Sequence, residues 1–484
     1  MKRLLSLFLL VILALTAVGC ENVEYIEMTS VEDKEESKNI YEQLETDLPD
    51  LETDENGEII ERSFVIATDD KRVFYNEESA ASSVSRAVEE RTTFLNDKYG
   101  AKILVKQVTT KNLTNDLKAA LESGVDYCDL IAISAKETVK LQTAGLLGDM
   151  NKLPDFDLNA KYFDQYNAKS LAVNEKLYML PDASAQVYDE TYVMFFNRDL
   201  VNTQGGQDPE TLVMQGKWTW DSFHEVAKAA APKVYNKSTS DIATDIFGFT
   251  SYESESSFPL AMWNSCGIHI IDNNYYGSVD ISYTADELLG YAEKLKSRYN
   301  SRGRLPLEGG DASLAFKEGR LAFFCNKLEY FYSLRDGKNN GNNYGMVPMP
   351  KYDENQERYC TPVSTEARVY SIPKNIENQT ESHKAFVSAV IKATCASGSE
   401  TIKKAYLNQV IATYLNNNKE TVMFQTVLDT IYFDFATVYS SNISVIRRAT
   451  VGAVSDYIEF GSGLKNSLAS ARPNFNNYVA ENFS

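Results

Sequence analysis

From Ser63 to Ser134 the chain alternates short apolar, β-branched runs with amphipathic stretches, and this alternation limits the possible folds more than any other feature of the sequence. Ser63-Phe-Val-Ile-Ala-Thr68 reads as a strand ending in Asp69-Asp70, and a helical stretch follows that ends near Tyr99-Gly100. Lys102 to Val108 reads as a second strand, Asn112 to Glu122 as a helix closed by Gly124, and Asp129 to Ser134 as a third strand. Parallel neighbours need long crossovers, which are right-handed and usually helical. The first part of the chain is therefore predicted to be α/β with a mostly parallel sheet.

Further along, Glu137 to Ala144 reads as a helix ended by Gly145, and Lys176–Pro181 and Tyr192–Asn197 as strands. The polar segment Asp182 to Gln186 between those strands is the expected crossing to a second lobe. Trp218-Thr-Trp-Asp221 introduces a helix, with Thr219 or Asp221 as cap and Phe223, Val226, Ala227 and Ala230 on one face. Phe247–Thr250, the apolar run into Phe324, Tyr344–Pro350 and Arg368–Pro373 read as further strands. Helical patterns dominate from His383 onward, with breaks near Asn416–Asn418, Gly461–Gly463 and Pro473. At 484 residues and 43% hydrophobic, the chain is long and apolar enough for more than one domain.

Charge is uneven. The formal net charge is −20, which argues against a broad basic face for nucleic acid. Residues 21–61 hold 16 Asp and Glu against Lys34 and Lys38, whereas Arg62 to Ser484 holds 52 acidic against 44 basic residues. The acidic stretch has the composition of a solvated tether, and its last part, from Leu48, is expected to fold back at Asn56-Gly57. Ahead of it, Met1-Lys2-Arg3, an apolar run from Leu4 to Ala17 and Ala17-Val-Gly-Cys20 have the parts of a secretory signal. The run is too short to span a bilayer. It resembles a bacterial lipobox with Cys20 as the lipidated residue, Ala17 standing where Leu is usual. A plain signal peptide would leave the protein secreted instead of anchored, and in either case the body works outside the cytoplasm.

Without Cys20, the cysteines at 128, 266, 325, 360 and 395 cannot all pair. Cys128 and Cys325 sit in strand-like runs and read as small buried apolar groups, and free structural thiols are expected throughout. Catalytic signatures are missing: His224, His269 and His383 are far apart, and no zinc, phosphate-loop, dinucleotide or nucleophile-elbow motif occurs. The chain is therefore read as not an enzyme. Asp69, Asp70, Asp182 and Glu329 lie near predicted strand ends, where paired carboxylates could cut a glycosidic bond or simply accept hydrogen bonds from ligand hydroxyls.

Val193-Met-Phe-Phe-Asn-Arg-Asp-Leu200 is followed by Gly216-Lys-Trp-Thr-Trp-Asp-Ser-Phe223, and it is the order and spacing of these and further segments that carries information. Tyr127-Cys-Asp-Leu-Ile131, Phe316-Lys-Glu-Gly-Arg-Leu-Ala-Phe323, Tyr344 to Asp353 and Ser371-Ile-Pro-Lys374 stand around it in a matching order. With the lipobox and tether, these segments resemble the family 1, maltose-binding-like solute receptors of ABC importers over roughly residues 48–484.

The resemblance implies a periplasmic-binding-protein-like type II fold, two doubly wound α/β lobes joined by a hinge with the ligand cleft between them. Its boundaries would be a signal at 1–19, lipidated Cys20 and tether over 20–61, and the first part of lobe 1 over 62–185. Residues 186–345 would be mainly lobe 2 with crossover segments, and 346–484 a hinge return with C-terminal helices shared between lobes. It further implies a monomer that takes a small solute, foremost a carbohydrate, to a membrane permease without a cofactor. Some relatives carry an Asp-rich, calcium-like loop after the Trp-Thr-Trp-Asp helix; Lys233 to Ile242 lacks that density of ligands, so no metal is expected.

Ligand contacts are expected from Asp69, Asp70, Ser134, Asp182, Tyr188, Trp263, Asn326 and Glu329, with Tyr252 and Glu366 as further candidates. Trp263 could equally fill the core, and Trp218 and Trp220 are expected to pack at the helix start. A glycan-active enzyme, or a surface sensor or adhesin, are the other classes the same fold would serve.

Overall fold

The computed structural model describes 44–45, 47–49 and most of 51–483, leaving out 71–73, 75–81, 183–186, 204–206, 232–237, 239, 252–256, 274–278, 282, 300–308, 336–342 and 441–461. The signal, Cys20, most of the tether and Tyr252 therefore lie outside the described residues.

The strands are β1 (Arg62–Thr68), β2 (Ala101–Gln107), β3 (Leu130–Ser134), β4 (Leu147–Gly148), β5 (Tyr192–Asn197) and β6 (Phe247–Ser251). There follow a short pair, β7 (Ile271–Asn273) and β8 (Val279–Ile281), then β9 (Leu321–Lys327) and β10 (Tyr344–Pro348). Last come β11 (Thr361–Pro362), β12 (Arg368–Pro373) and β13 (Ile431–Tyr432). One five-stranded sheet has the order β2-β1-β3-β12-β4, and a four-stranded sheet the order β10-β5-β9-β6.

In the first sheet β1 is parallel to β2 and to β3, with helices Ser83–Tyr99 and Thr110–Ser123 as crossovers. Ser82 caps the first helix by accepting from the Ser85 N–H, and Gly100 ends it in the left-handed region at φ +62. A side chain there would place its Cβ 2.9 Å from the Ile60 carbonyl oxygen, so glycine is required twice over. β12 returns antiparallel to β3 and β4.

The second sheet is mixed. β5 runs antiparallel to both β10 and β9, and β6 and β9 are parallel. β5 enters the sheet at the carboxyl end of β9, Tyr192 lying opposite Lys327, and so runs in the opposite direction. Thr219 caps the helix Trp220–Ala230 with a reciprocal Ser222 bond, so Thr219 and not Asp221 serves as cap.

The segments passing between the sheets pair with each other. Leu180 bridges Tyr370, Thr191 bridges Val363, and β11 lies parallel to β13. The Ser364 N–H donates to the Glu190 carbonyl at 2.8 Å, and Leu328 N–H to Thr191 at 2.8 Å.

Some local expectations change. Lys176–Pro181 is not a strand: Val173 bridges Lys176 across Asn174 and Glu175, both at positive φ, and beyond that Leu180 bridges Tyr370. Its Leu177, Met179 and Leu180 are fully buried, so an apolar coil imitates a strand pattern. Cys128 precedes β3 instead of opening it, although it is buried, and the five described cysteines are all free and buried. The helix Ser462–Phe483 continues through Pro473, whose neighbourhood is exposed enough for water to take the carbonyl that proline leaves unbonded. The Asn56-Gly57 turn forms as expected, with Thr53 bridging Ile59 and Gly57 at φ +81.

Candidate functional site

Asp69 and Asp70 follow the carboxyl end of β1, where the Asp70 N–H donates to Thr68 Oγ1 at 3.1 Å and shapes the turn. Arg368, the first residue of β12, lies in register opposite Ser134 at the end of β3. Its Nε donates to Asp69 Oδ1 at 3.1 Å, and its Nη2 lies 3.5 Å from Asp70 Oδ2. Three expected residues, Asp69, Asp70 and Ser134, are thus gathered around a cation that sequence reasoning passed over while it searched for carboxylates. On the same rim Glu366 pairs with Lys136.

The Leu180–Tyr370 bridge carries the chain antiparallel alongside β12, toward this same end of the sheet. Asp182 turns inward and is buried. Its carboxylate accepts from the Cys395 thiol, and burial and this acid both push the thiol pKa up. Arg91 lies nearby, fully buried, with its guanidinium 4.8 Å over the Phe74 ring. Burial pulls the Arg91 pKa down, while Tyr370 and Asp182 oppose the fall.

At the end of β9 in the second sheet, Asn326 is buried opposite Val193, and its side-chain oxygen accepts from the Lys327 N–H at 2.8 Å. Lys327 Nζ lies 2.8 Å from Glu190 Oε2. Glu329 is exposed, and its N–H donates to the Asp189 carbonyl at 3.2 Å. Asp189 Oδ1 in turn accepts from Tyr332 at 2.8 Å and Tyr406 at 2.7 Å, so the turn Val187–Glu190 ties together the helices Tyr330–Arg335 and Lys403–Tyr414.

Trp263 takes the other of its two expected places. It is 0% exposed on the helix Ser257–Ser265 and packs into the main core, because this helix is apolar nearly all round. Trp218 and Trp220 are likewise core residues, their indole N–H groups donating to Pro348 O at 2.9 Å and Ser265 Oγ at 3.2 Å.

Near β13, a cavity of about 300 Å³ is lined by Asp182 and Tyr188, with Phe163, Asp164, Tyr166, Arg358, Lys403, Asp429 and Phe433 among the other walls. The Tyr188 ring is 2% exposed and stacks on Tyr406 with centroids 4.6 Å apart. Its buried hydroxyl has no hydrogen-bond partner among the described residues. Helix Gln165–Leu171 clamps the segment behind the cavity: Asn167 Nδ2 donates to Ile431 O at 3.0 Å, and Asn167 Oδ1 accepts from the Phe433 N–H at 2.8 Å. Burial raises the Asp164 pKa, against bonds from Asn167.

The cavity brings together Asp182 and Tyr188 from the expected set. It adds Asp164, Arg358, Lys403 and Asp429, which sequence reasoning missed. Only Asp164 carried a local signal, as a helix N-cap; the others come from separate elements that topology alone collects. Among the described residues no group of three or more His, Cys, Asp and Glu is placed to hold a metal ion.

Two α/β layers tied by paired crossing segments, with a walled cavity at the crossing, define a two-lobed binding protein. Residues 76–393 match the family described as bacterial extracellular solute-binding protein, and the chain belongs to that family. The family works outside the cytoplasm, and among the described residues no helix is long and apolar enough to cross a membrane. No curated protein matches the chain by sequence.

Solved structures that resemble it include a family 1 extracellular solute-binding protein from Bifidobacterium longum subsp. infantis, with TM-score 0.52 at 12% identity over 86% of this chain and 100% of that one. A cyclo/maltodextrin-binding protein complexed with maltotetraose gives 0.52 at 17% identity, over 86% and 97%. A cyclic alpha-maltosyl-1,6-maltose binding protein from Arthrobacter globiformis gives 0.53 at 12%, over 87% and 99%. The likeness is one of fold, and it is the periplasmic-binding-protein-like architecture anticipated from the sequence.

Proposed function

We propose that this protein captures a carbohydrate between its lobes and delivers it to the permease of an ABC importer, acting as a monomer held at the membrane by a lipid on Cys20. The observation that carries the solute reading is the buried Tyr188 hydroxyl, which lacks a partner among the described residues and lines a cavity at the hinge. A buried polar group left unbonded is costly, and a ligand hydroxyl would relieve it. Carboxylates and amines beside aromatic walls suit sugar hydroxyls and C–H faces. The sugars named for the maltodextrin-binding and maltosyl-maltose-binding neighbours support the same class.

The rims at Asp69, Asp70 and Ser134 on one sheet, and at Asn326 and Glu329 on the other, would contribute further contacts. A ligand touching both rims favours the closed form by its differential affinity, and closure is what a permease would read. The carboxylates act in this scheme as hydrogen-bond acceptors, not as a hydrolytic pair. The lobes would run over 62–185 and 186–345, with 346–484 shared.

A thermal-shift screen of the protein against saccharides, polyols and peptides tests this, since a ligand for the folded state raises the melting temperature by mass action. A saturable rise with a sugar, recovered intact afterward, is the expected result. A shift from peptides alone would overturn the carbohydrate class, and cleavage of the sugar would favour the enzyme.

A further inference from the structure

The charges lining the hinge cavity are already matched by the protein itself. Lys403 Nζ lies 2.8 Å from Asp429 Oδ1. Asp164 accepts from the Asn167 backbone at 3.2 Å and from its side-chain amide at 2.7 Å, and both Lys403 and Arg358 act on its charge. The Arg358 guanidinium covers the Tyr166 ring at 4.7 Å. Asp182 is backed by buried Arg91 and by the Cys395 thiol. The carboxylates Asp164, Asp182 and Asp429 thus face the cations Arg358, Lys403 and Arg91.

An anionic or cationic ligand would leave water for a site that offers it no surplus opposite charge, and desolvation would then go uncompensated. An uncharged polyol meets no such loss. Its hydroxyls both donate and accept, as this mixture of acids, amines and the unpartnered Tyr188 hydroxyl requires. Size narrows the choice. About 300 Å³ lies at the bottom of the range of roughly 300–1,000 Å³ for small-molecule sites, which favours a small ligand such as one sugar ring over a long chain of them.

We propose that the hinge cavity binds a single neutral monosaccharide, with the Tyr188 hydroxyl as the group that reads it. This rests on the carbohydrate reading above and narrows it. The Tyr188 ring is fixed by its stack on Tyr406, so the hydroxyl is held in place before the sugar arrives.

Calorimetric titration of the whole protein with neutral hexoses and pentoses, with maltotetraose, and with galacturonate and N-acetylneuraminate tests the proposal. One neutral monosaccharide should bind saturably, with maltotetraose and the acidic sugars at least tenfold weaker. Tyr188→Phe keeps the stack and removes only the O–H. It should weaken that sugar about five- to tenfold, the worth of one neutral hydrogen bond, while the ligand-free melting temperature stays the same or rises, because the buried hydroxyl has no bond to lose among the described residues.

Tightest binding by maltotetraose or by an acidic sugar would overturn the single neutral ring while leaving the carbohydrate reading intact. Binding of peptides with every sugar silent would overturn both. Unchanged affinity in a folded Tyr188→Phe variant would remove Tyr188 from the site.

Discussion

The aromatic side chains behind the second sheet and those at the hinge are put to different uses. Around β9, Phe223 meets Trp220 at 5.3 Å, Phe249 at 5.3 Å and Phe323 at 5.1 Å, all edge to face. The polar atoms of that cluster are closed off, each indole N–H having an acceptor. At the hinge the rings are tyrosines whose hydroxyls reach across elements. Tyr332 and Tyr406 bind Asp189, and Tyr432 bonds His269 Nδ1 at 2.6 Å. Tyr188 lines a cavity, and its buried hydroxyl has no partner among the described residues. A ring whose polar handle is already bonded serves the core, and one whose handle is left open is the better candidate for a site; Trp263, which the sequence left between ligand contact and core, is core.

The comparison breaks most visibly if the β9 cluster is not what holds the second lobe. Phe223→Ala should cost about 3–5 kcal/mol, since a large buried ring leaves a cavity its neighbours only partly fill. Chemical denaturation measures this directly, and a loss below about 1 kcal/mol would show that the cluster tolerates collapse.

Next in size is the charged knot beside that core. Arg198 bonds Glu210 twice at 2.6 Å and Glu420 at 2.9 Å, and Arg335 shares Glu420 at 2.9 Å. Burial alone would weaken the Arg198 charge, but the glutamates more than offset it and hold its pKa above the ordinary value. Arg198→Met strands buried Glu210 beside Glu420 and should destabilise by a similar or slightly smaller amount, about 3 kcal/mol. Adding Glu210→Gln should recover part of it. Without such recovery, the loss would be one of packing and not of charge.

On the hinge side the effects should be smaller in stability and larger in function. Tyr406→Phe leaves the stack on Tyr188 but removes one of the two hydroxyls that Asp189 Oδ1 accepts. A loss of about 1 kcal/mol is expected, together with a changed response of lobe separation to sugar in small-angle scattering. A response identical to the parent's would mean that Asp189 braces the fold without taking part in closure.

Much of the fold was legible because it is local. β1 to β3, their capped helices and the Thr219 box are each specified within a few residues, and so is the Asn56-Gly57 turn. Lys176–Pro181 misled because a buried coil and a buried strand bury the same residues. The proposed rims were chosen from the sequence because strand ends are where open α/β sheets bind ligands. Arg368 was not, although it opens a strand that was recognised, because its meaning depends on a register opposite Ser134. Lys403 and Asp429 meet only after two helices have packed, and no spacing in the sequence foretells that.

The smallest expected effect is the sharpest test of the comparison, because His224 gives the second lobe an open polar atom of its own. Its Nδ1 is buried with no partner among the described residues, as the Tyr188 hydroxyl is, yet it does not line the hinge cavity. Burial, seconded by the nearby Arg298 charge, lowers its pKa below 6.5. The unfolded chain therefore takes up a proton more readily than the folded one. Stability should be fully present above pH 6.5 and fall as pH drops from 6.5 through the lower folded value. His224→Gln cannot titrate, so its melting temperature should fall less than the parent's between pH 7.5 and 5.5, while sugar affinity at pH 7.5 stays unchanged. Equal slopes would mean that the ring gains a proton in the fold as easily as outside it. A change in sugar affinity would mean that an open polar atom away from the cavity also reports on binding, and the distinction between core and hinge would lose its basis.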